Sequence, residues 1–364
     1  MIRWVLFMLL VLHGLIHLMG LAKAFDWAAI QALTRPIGRP MGLLWALCMV
    51  LFVVAALFLF RHSDRWWMPA LAAVILSQVL IGLHWHDARF GTIANVLVLV
   101  GIVFGAAVWS FRGEYRADIA AAQEAAGVLP VRVIGESDLV PLPSPVQRFL
   151  RASGVVGKPI PRALRIEFKG DIRSKGGPWM PFTTTQVNTF DPPTRAFWMD
   201  ATMKGLPTKG YHRYGGGSAH MQIKVLGLFS VIDITGPQLD TAETVTWFND
   251  LCMFAPGALI DRRITWEPIN DHRARALFKH RGFAISAELV FDAQDRLVNF
   301  ISDDRYYLGE DRSMVKSRFS TPARDHRVVS GVLLPGYGEA IYHFPDGEFT
   351  YGRFHTLNVR YETR

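Results

Sequence analysis

Four long apolar runs ahead of residue 112 constrain this chain more than anything else in it. They cover 4–21, 41–60, 67–85 and 92–111, each close to the ~20 residues a helix needs to cross a hydrocarbon core. Arg, Asp, Pro and Trp separate them, with Trp66-Trp67 and Trp109 where an interfacial aromatic belt belongs. Apolar residues make up 51% of the 364 positions and the mean hydropathy is +0.20, too oily for an average soluble protein. The runs predict a membrane α-helical bundle of four transmembrane helices over 1–111. A helical extension and Pro-rich linker over 112–145 and an α+β domain over 146–364 follow. The first run also has features of a secretory signal, with Arg3 before it and Ala22-Lys23-Ala24 as a small-x-small site. Its apolar stretch exceeds the usual 7–15 residues, and two histidines are out of place in a discarded segment, so it is read as a retained span.

Those histidines, His13 and His17, lie four apart, about 40° apart around a helix and ~6 Å along it, hence on one face. Polar groups left unsatisfied in hydrocarbon cost several kcal/mol, which turns that face toward other helices. Ser77 and Gln78 sit at a similar depth in the third run, and a Gln78 to His13 hydrogen bond is expected. The third run ends in His84-Trp85-His86-Asp87-Ala88-Arg89 and the fourth opens toward Asn95. At 1.5 Å per residue, His17 lies ~6 Å and His84 ~12 Å from the midplane, so His17, His84 and Asn95 can converge. His17 and His84 are therefore the candidate metal ligands, with His13 and His86 behind them. The competing reading makes His13, Gln78, Asn95 and Asp87 polar residues of the bundle that bond one another, wets His84 and His86 with headgroups, and pairs Asp87 with Arg89.

The formal charge is +8, yet only seven of 39 Lys/Arg and three of 31 Asp/Glu precede residue 112. Basic residues are scattered among carboxylates, which argues against a nucleic-acid partner and leaves anionic lipid headgroups as the simpler use of the excess. Four spans put both ends of the bundle on one side. Arg3, Arg61, Arg65, Arg112 and Arg116 flank that side and Lys23, Arg35, Arg39 and Arg89 the other, so the distal domain is read as cytoplasmic by five charges to four. Cys48 and Cys252 are too far apart in sequence to form a disulfide framework.

Beyond residue 112 an Ala-rich stretch to Gly127 continues the helix, and prolines 130, 141, 143 and 145 mark 129–145 as a linker. A short helix at 146–152 opens the distal domain. The period then changes to two, with strands expected at 163–173, 182–190, 195–202, 210–214, 219–226, 264–268, 274–279, 283–291 and 297–302. A final pair, 339–344 and 349–360, is joined by Pro345-Asp346-Gly347. Asp240 or Thr241 is expected to cap one helix carrying Val245, Phe248, Leu251 and Cys252 and ending before Pro256. The domain is thus a long antiparallel sheet with one covering helix.

The run His13-Gly14-Leu15-Ile16-His17, with Arg39-Pro40-Met41-Gly42 and Asp87-Ala88-Arg89-Phe90-Gly91-Thr92, resembles the membrane part of uncharacterised bacterial multipass proteins. Val146-Gln147-Arg148-Phe149-Leu150, Pro178-Trp179-Met180-Pro181-Phe182 and Asp346-Gly347-Glu348-Phe349-Thr350-Tyr351 resemble their C-terminal domain of unknown function. The resemblance implies a bacterial inner-membrane protein and assigns no catalytic residue. In layout alone the distal domain is similar to lipoprotein-carrier sheets, which hold acyl chains.

Metalloprotease, nucleophile-elbow, phosphate-loop and paired-cysteine zinc signatures are absent from the sequence, and the cofactor is left unknown. Asp325-His326 with His343 is a weak acid-base candidate, because adjacent strand residues face opposite ways. Gly215-Gly216-Gly217 reads as a turn. The aromatic residues Trp179, Phe182, Trp198, Trp247, Phe248 and Trp266 are the candidate ligand-binding set, walls suited to a lipid tail. The leading expectation is a non-enzymatic membrane-anchored protein that binds a lipid or another apolar molecule. The alternatives are a transmembrane metal or haem redox or proton-relay unit on His13, His17, His84 and His86, and an unrecognised hydrolase.

Overall fold

The computed structural model describes residues 2–127 and 131–363. The chain divides into two compact units, Met1–Gly113 with Leu226–Leu228, and Glu114–Val225 with Phe229–Arg364. The expected start of the linker, 129–130, lies outside the described residues.

The first unit holds α1 (Ile2–Ile16), α2 (Leu18–Ala24), α3 (Arg39–Phe60), α4 (Trp67–Leu83), the single turn α5 (Trp85–Ala88) and the first part of α6 (Gly91–Ala126). Three stretches among the described residues are long and apolar enough to cross a membrane: Ile2–Ala24, Arg39–Phe60 and Gly91–Ala126. The third expected span is a shorter apolar helix of 17 residues. Helix α6 runs past residue 112.

His17 separates α1 from α2 for a chemical reason. Its backbone N–H bonds Gly14 O at 3.0 Å, a tighter turn than the α-helical one. The His13 carbonyl thus released accepts instead from His17 Nδ1 at 2.8 Å. Glycines then let the helices meet: a Cβ at Gly20 would lie 2.1 Å from the Trp45 ring, and one at Gly42 would lie 2.3 Å from Ala24 Cβ.

In the second unit, α7 (Glu136–Leu139) and α8 (Ser144–Ala152) precede the sheet. The segment read as a linker is packed where it is described. Ile134 and Leu139 are fully buried in the same core as Val146, Phe149 and Leu150, and Val133 bridges Pro159. Prolines here shape turns and helix starts without loosening the chain.

The sheet begins with a meander of β1 (Ala163–Ile172), β2 (Met180–Phe190), β3 (Pro193–Met203), β4 (Leu206–Gly215), β5 (Ser218–Val225) and β6 (Phe229–Thr235). Helix α9 (Pro237–Phe254) follows, then β7 (Ile264–Asn270), β8 (Arg273–His280), β9 (Phe283–Phe291), β10 (Leu297–Leu308) and β11 (Met314–Arg324). A separate two-stranded ribbon, β12 (Arg327–Val329) and β13 (Val332–Leu334), leads to β14 (Tyr337–Phe344) and β15 (Gly347–Glu362). The spatial order is β6-β5-β4-β3-β2-β1-β15-β14-β11-β10-β9-β8-β7, antiparallel throughout. The two meanders therefore meet at β1 and β15, and α9 carries the chain from one outer edge to the other. It touches β3 to β6 and also β9 and β10, which a sheet achieves only by curling around it.

Helix α9 begins earlier than expected, with Gly236 before it and Pro237 in its first turn, where the missing N–H costs nothing. Asp240 does not cap it. Its carboxylate accepts from the Ala219 backbone N–H at 2.6 Å and ties the helix to β5. Gly216 and Gly217 both have positive φ, +64° and +83°, as a two-residue hairpin turn requires, in line with the turn expected there.

Candidate functional site

The floor of the site comes from alternation on β2 and β3. Gln186 and Asn188, two apart, face the same side between the buried rings of Phe182 and Phe190. On β3, Arg195 stands opposite Asn188 and Phe197 opposite Gln186, and on β4 His212 stands opposite Phe197. Helix α9 supplies the roof. Its face bearing Trp247, Phe248, Leu251 and Cys252 packs into the apolar core, while Glu243, Thr246, Asn249, Asp250 and Met253 recur at helical spacing on the face that lines a cavity.

Arg305 completes the site through a backbone irregularity. Phe300 points into the core, and strict alternation would then carry 302 and 304 inward and turn 305 out. The pairing of β10 with β11 shifts register between Ser302 and Arg305, and the extra residue turns Arg305 inward.

These groups form one buried ionic network. Arg195 Nε donates to Asp250 Oδ2 at 2.8 Å, its Nη1 to Glu243 Oε2 at 3.1 Å and its Nη2 to Gln186 Oε1 at 3.3 Å. Asp250 Oδ2 also accepts from Gln186 Nε2 at 2.6 Å and Asn188 Nδ2 at 3.1 Å. Arg305 Nη1 donates to Ala242 O at 2.5 Å and lies 3.9 Å from Glu243 Oε1, with His212 Nδ1 at 3.8 Å on the same oxygen. Burial alone would raise the Glu243 pKa, but His212, Arg195 and Arg305 together bring it down to about 2.

Members of this network, from α9 and from the sheet, line a cavity of about 130 Å³. Phe168, Phe197, Phe319, Tyr351, Phe354 and Met253 give it apolar walls. Two polar atoms of its lining residues, Arg305 Nε and Asn249 Oδ1, have no hydrogen-bond partner. The other end of the Asn249 amide donates to Thr321 Oγ1 at 2.9 Å.

The six aromatic residues singled out from the sequence do not line this cavity. Trp247 and Phe248 are fully buried against Phe278, at 5.0 and 5.5 Å between ring centroids, because the core face of α9 needs large side chains to fill the curl. Trp198 alternates to the opposite face from Phe197 and packs on Tyr115 and Tyr211. Phe182 comes nearest, 5.2 Å from Phe354. Trp266 packs half-buried against the core. Trp179 is gripped by two guanidiniums, Arg173 and Arg353, each 4.3 Å from its ring.

In the helical unit the expected Gln78 to His13 bond is replaced by a longer relay. His13 Nε2 donates to Asn95 Oδ1 at 2.8 Å, Asn95 Nδ2 to Gln78 Oε1 at 3.0 Å, and Gln78 Nε2 to Thr92 Oγ1 at 3.2 Å. His17 does not converge with His84 and Asn95. Its Nδ1 is spent on His13 O and its Nε2 lies 3.1 Å from Ser77 Oγ, while His84 Nδ1 donates to Leu80 O at 3.1 Å. The Trp45 indole touches both rings, at 5.4 and 5.7 Å. Among the described residues no group of three or more His, Cys, Asp or Glu side chains is placed to hold a metal ion. Exposed His86 bonds Asp87 at 3.1 Å. Asp87 turns away from the expected Arg89 pairing and accepts from the Thr34 backbone at 2.7 Å and its hydroxyl at 2.8 Å.

The weak acid-base candidate does not assemble either, since His326 Nε2 donates to Leu297 O at 2.9 Å. His343 instead lies 2.7 Å from Ser320 Oγ and 3.3 Å from Glu348. Ser320, however, is buried in mid-strand and paired on both sides, with Ile301 and Ile341, so its surroundings lack free backbone N–H groups for an oxyanion.

No functionally curated protein matches this chain. Two solved structures align with it at 8% identity: an outer membrane lipoprotein-sorting protein domain from Vibrio parahaemolyticus and a LolA superfamily protein from Nitrosomonas europaea. The first has a TM-score of 0.31 over 55% of this chain and 85% of its own, the second 0.33 over 60% and 93%. A family model matches residues 132–354, more than half of the sequence, and the chain belongs to that family of unknown function, DUF6544.

Proposed function

We propose that this is a non-enzymatic, membrane-anchored binding protein whose sheet domain holds the apolar part of a lipid-like molecule between α9 and the sheet. The observation that carries the reading is the cavity itself, with rings on its walls and two unpartnered polar atoms among its lining residues. Well-packed interiors leave few voids and pair their polar groups, so a space of this composition is supported as a ligand site. Three helices have the length to anchor the chain. We read α4 as the fourth span, since its 17 residues cover roughly 26 Å of a ~30 Å core and a modest mismatch is tolerated. Four spans return the sheet domain to the side of Arg3 and Arg61, read as cytoplasmic.

The test is photolabelling of the full chain in detergent-free lipid discs with an alkyl-diazirine amphiphile, the adducts mapped by mass spectrometry. Adducts on Met253, Phe319 or Tyr351 that disappear in Thr246→Phe, which fills the cavity from the helix side, support the proposal. Labels confined to the N-terminal helices overturn it. Reporter fusions at residue 112 check the sidedness.

A further inference from the structure

Strand β15 outruns its neighbour on one side. Its pairing with β14 ends at His355 opposite Tyr337, and the Thr356 N–H bonds Gly336 O at 2.9 Å just beyond. From there to Glu362 it has β1 on one edge and, among the described residues, no strand on the other. Side chains from the β12–β13 ribbon cover the first part of that bare edge: Arg327 donates to Thr356 O, and Ser330 Oγ to Val359 O at 2.8 Å. Glu362 O accepts from the Arg162 N–H at 2.8 Å on the β1 side. Strand groups alternate between the two edges, so Glu362 facing β1 and Val359 facing away place Tyr361 with Val359. The Tyr361 main-chain donor and acceptor therefore point off the end of the sheet, where they call for a partner.

Along this edge opens a second, half-open pocket of about 470 Å³, which shares no lining residue with the cavity beneath α9. A water needs roughly 10–15 Å³ of such space, so the pocket takes on the order of 30 non-hydrogen atoms, about four small residues of extended chain. Ile134, Val155, Pro161, Ala255, Pro256 and Val332, all buried, give it an apolar floor. Lys158 and Arg360 also line it, and no Asp or Glu among the described residues does. The Lys158 ammonium donates to the carbonyl of Gly331 and meets no carboxylate there. Gly331 follows Ser330, so this charge lies at the Val359 end of the open edge.

Direction follows from that placement. A guest strand antiparallel to β15, the sense of every other pair in this sheet, runs from the Thr363 end toward Val359. Its C-terminal end thus arrives where Ser330 stops further pairing and Lys158 supplies a positive charge. We propose that this edge binds the free C-terminus of an extended apolar peptide as an added strand. Main-chain bonds to Tyr361 hold the guest, the floor takes alternate side chains, and Lys158 receives the terminal carboxylate. The site is independent of the lipid reading and stands or falls without it.

The experiment uses the full chain in lipid discs, with empty discs as the blank, and a dansyl-tagged pentapeptide of alternating valine and alanine bearing one diazirine side chain. Its free acid should bind about tenfold or more tighter than its C-terminal amide by fluorescence anisotropy. Irradiation should place adducts on Pro256, Val332 or Tyr361. Methylating alternate main-chain nitrogens should weaken binding in one phase and spare it in the other, because only every second guest residue faces β15. Lys158→Gln should bring acid and amide together and leave the affinity for the amide unchanged. Equal binding of acid and amide by the native chain overturns the carboxylate assignment, and equal effects of methylation in both phases overturn strand addition. Adducts confined to Met253 or Phe319 overturn the site, and binding no greater than to empty discs overturns the whole proposal.

Discussion

Replacing Arg195 by methionine tests the ionic network where it is most exposed to refutation. The side chain makes three of the network's hydrogen bonds and is the closest cation to both Glu243 and Asp250. Methionine preserves much of the volume and removes the charge. Two buried carboxylates then remain with Arg305 no nearer than 3.9 Å and His212 at 3.8 Å. Breaking a buried pair from one side costs about 3–5 kcal/mol, a large share of a total near 5–15 kcal/mol. For a domain of this size each kcal/mol moves Tm by about 2–4 °C, so the drop should be roughly 6–20 °C. The pH dependence supplies a second, sharper readout. In the native protein Glu243 titrates at about 2 rather than its ordinary 4.5. Its contribution is therefore complete above 4.5 and is lost as pH falls toward 2. Without Arg195 one of the groups opposing the burial cost is lost, the carboxyl pKa rises although His212 and Arg305 remain, and acidification relieves part of the penalty instead. Thermal unfolding followed by Trp fluorescence should therefore show the gap between variant and native protein narrowing as pH is lowered toward about 4.5. Arg195→Met/Asp250→Asn, which removes one charge of each sign, should recover part of the loss. A single variant within about 1 kcal/mol of native and with the same pH slope would refute the reasoning.

Further expectations are more local. Gly20→Leu must displace the Trp45 ring and should lower the unfolding temperature of the helical unit by the equivalent of about 1–3 kcal/mol; Gly82→Ala, where a Cβ meets nothing within 4 Å, should be neutral or slightly stabilising. The bonds from His86, Thr34 and Arg35 hold the Asp87 carboxyl well below the usual carboxylate range, so the tie to Thr34 persists at neutral pH and loosens in acid. Asp87→Ala should speed hydrogen exchange at the Thr34 and Arg35 amides, and unchanged protection would show that the loop is held otherwise. A fluorophosphonate probe should leave Ser320 unmodified despite its contact with His343, and labelling there would revive the hydrolase alternative.

Much of this fold is legible from periodicity. The hairpin at Pro345-Asp346-Gly347 and the strands around Phe168, Phe197, Ile285 and Leu289 follow from two-residue alternation. What is hidden has definite causes. Strand β11 carries Pro322 and several cations, which read as a break, and β6 is an edge strand with little burial to impose a pattern. The site was only half visible. Gln186 and Asn188 between two inward phenylalanines, and Glu243 with Asp250 on a helix otherwise buried, are a readable polar stripe. Arg305 is not readable, because its direction depends on a bulge that Asp303-Asp304 disguises as a turn. Aromatic density misdirects for the opposite reason: Trp247 and Phe248 fill the curl around the core face of α9, while the cavity takes its rings from β1, β3, β11 and β15.

The junction of β1 with β15 has a consequence for biosynthesis. Every other neighbouring pair in the large sheet, save β11 with β14, joins strands consecutive in sequence and can zip as the chain emerges. This seam sets Ala163 against Glu362 and must wait for the second half of the domain. During that interval β1 is a bare sheet edge, the kind of surface that recruits strands from other chains. Its sequence alternates Arg165, Glu167, Lys169 and Asp171, so every second position carries a charge that a passing strand must desolvate. The nascent domain thus keeps its unfinished border unattractive to strangers until its own last strand arrives.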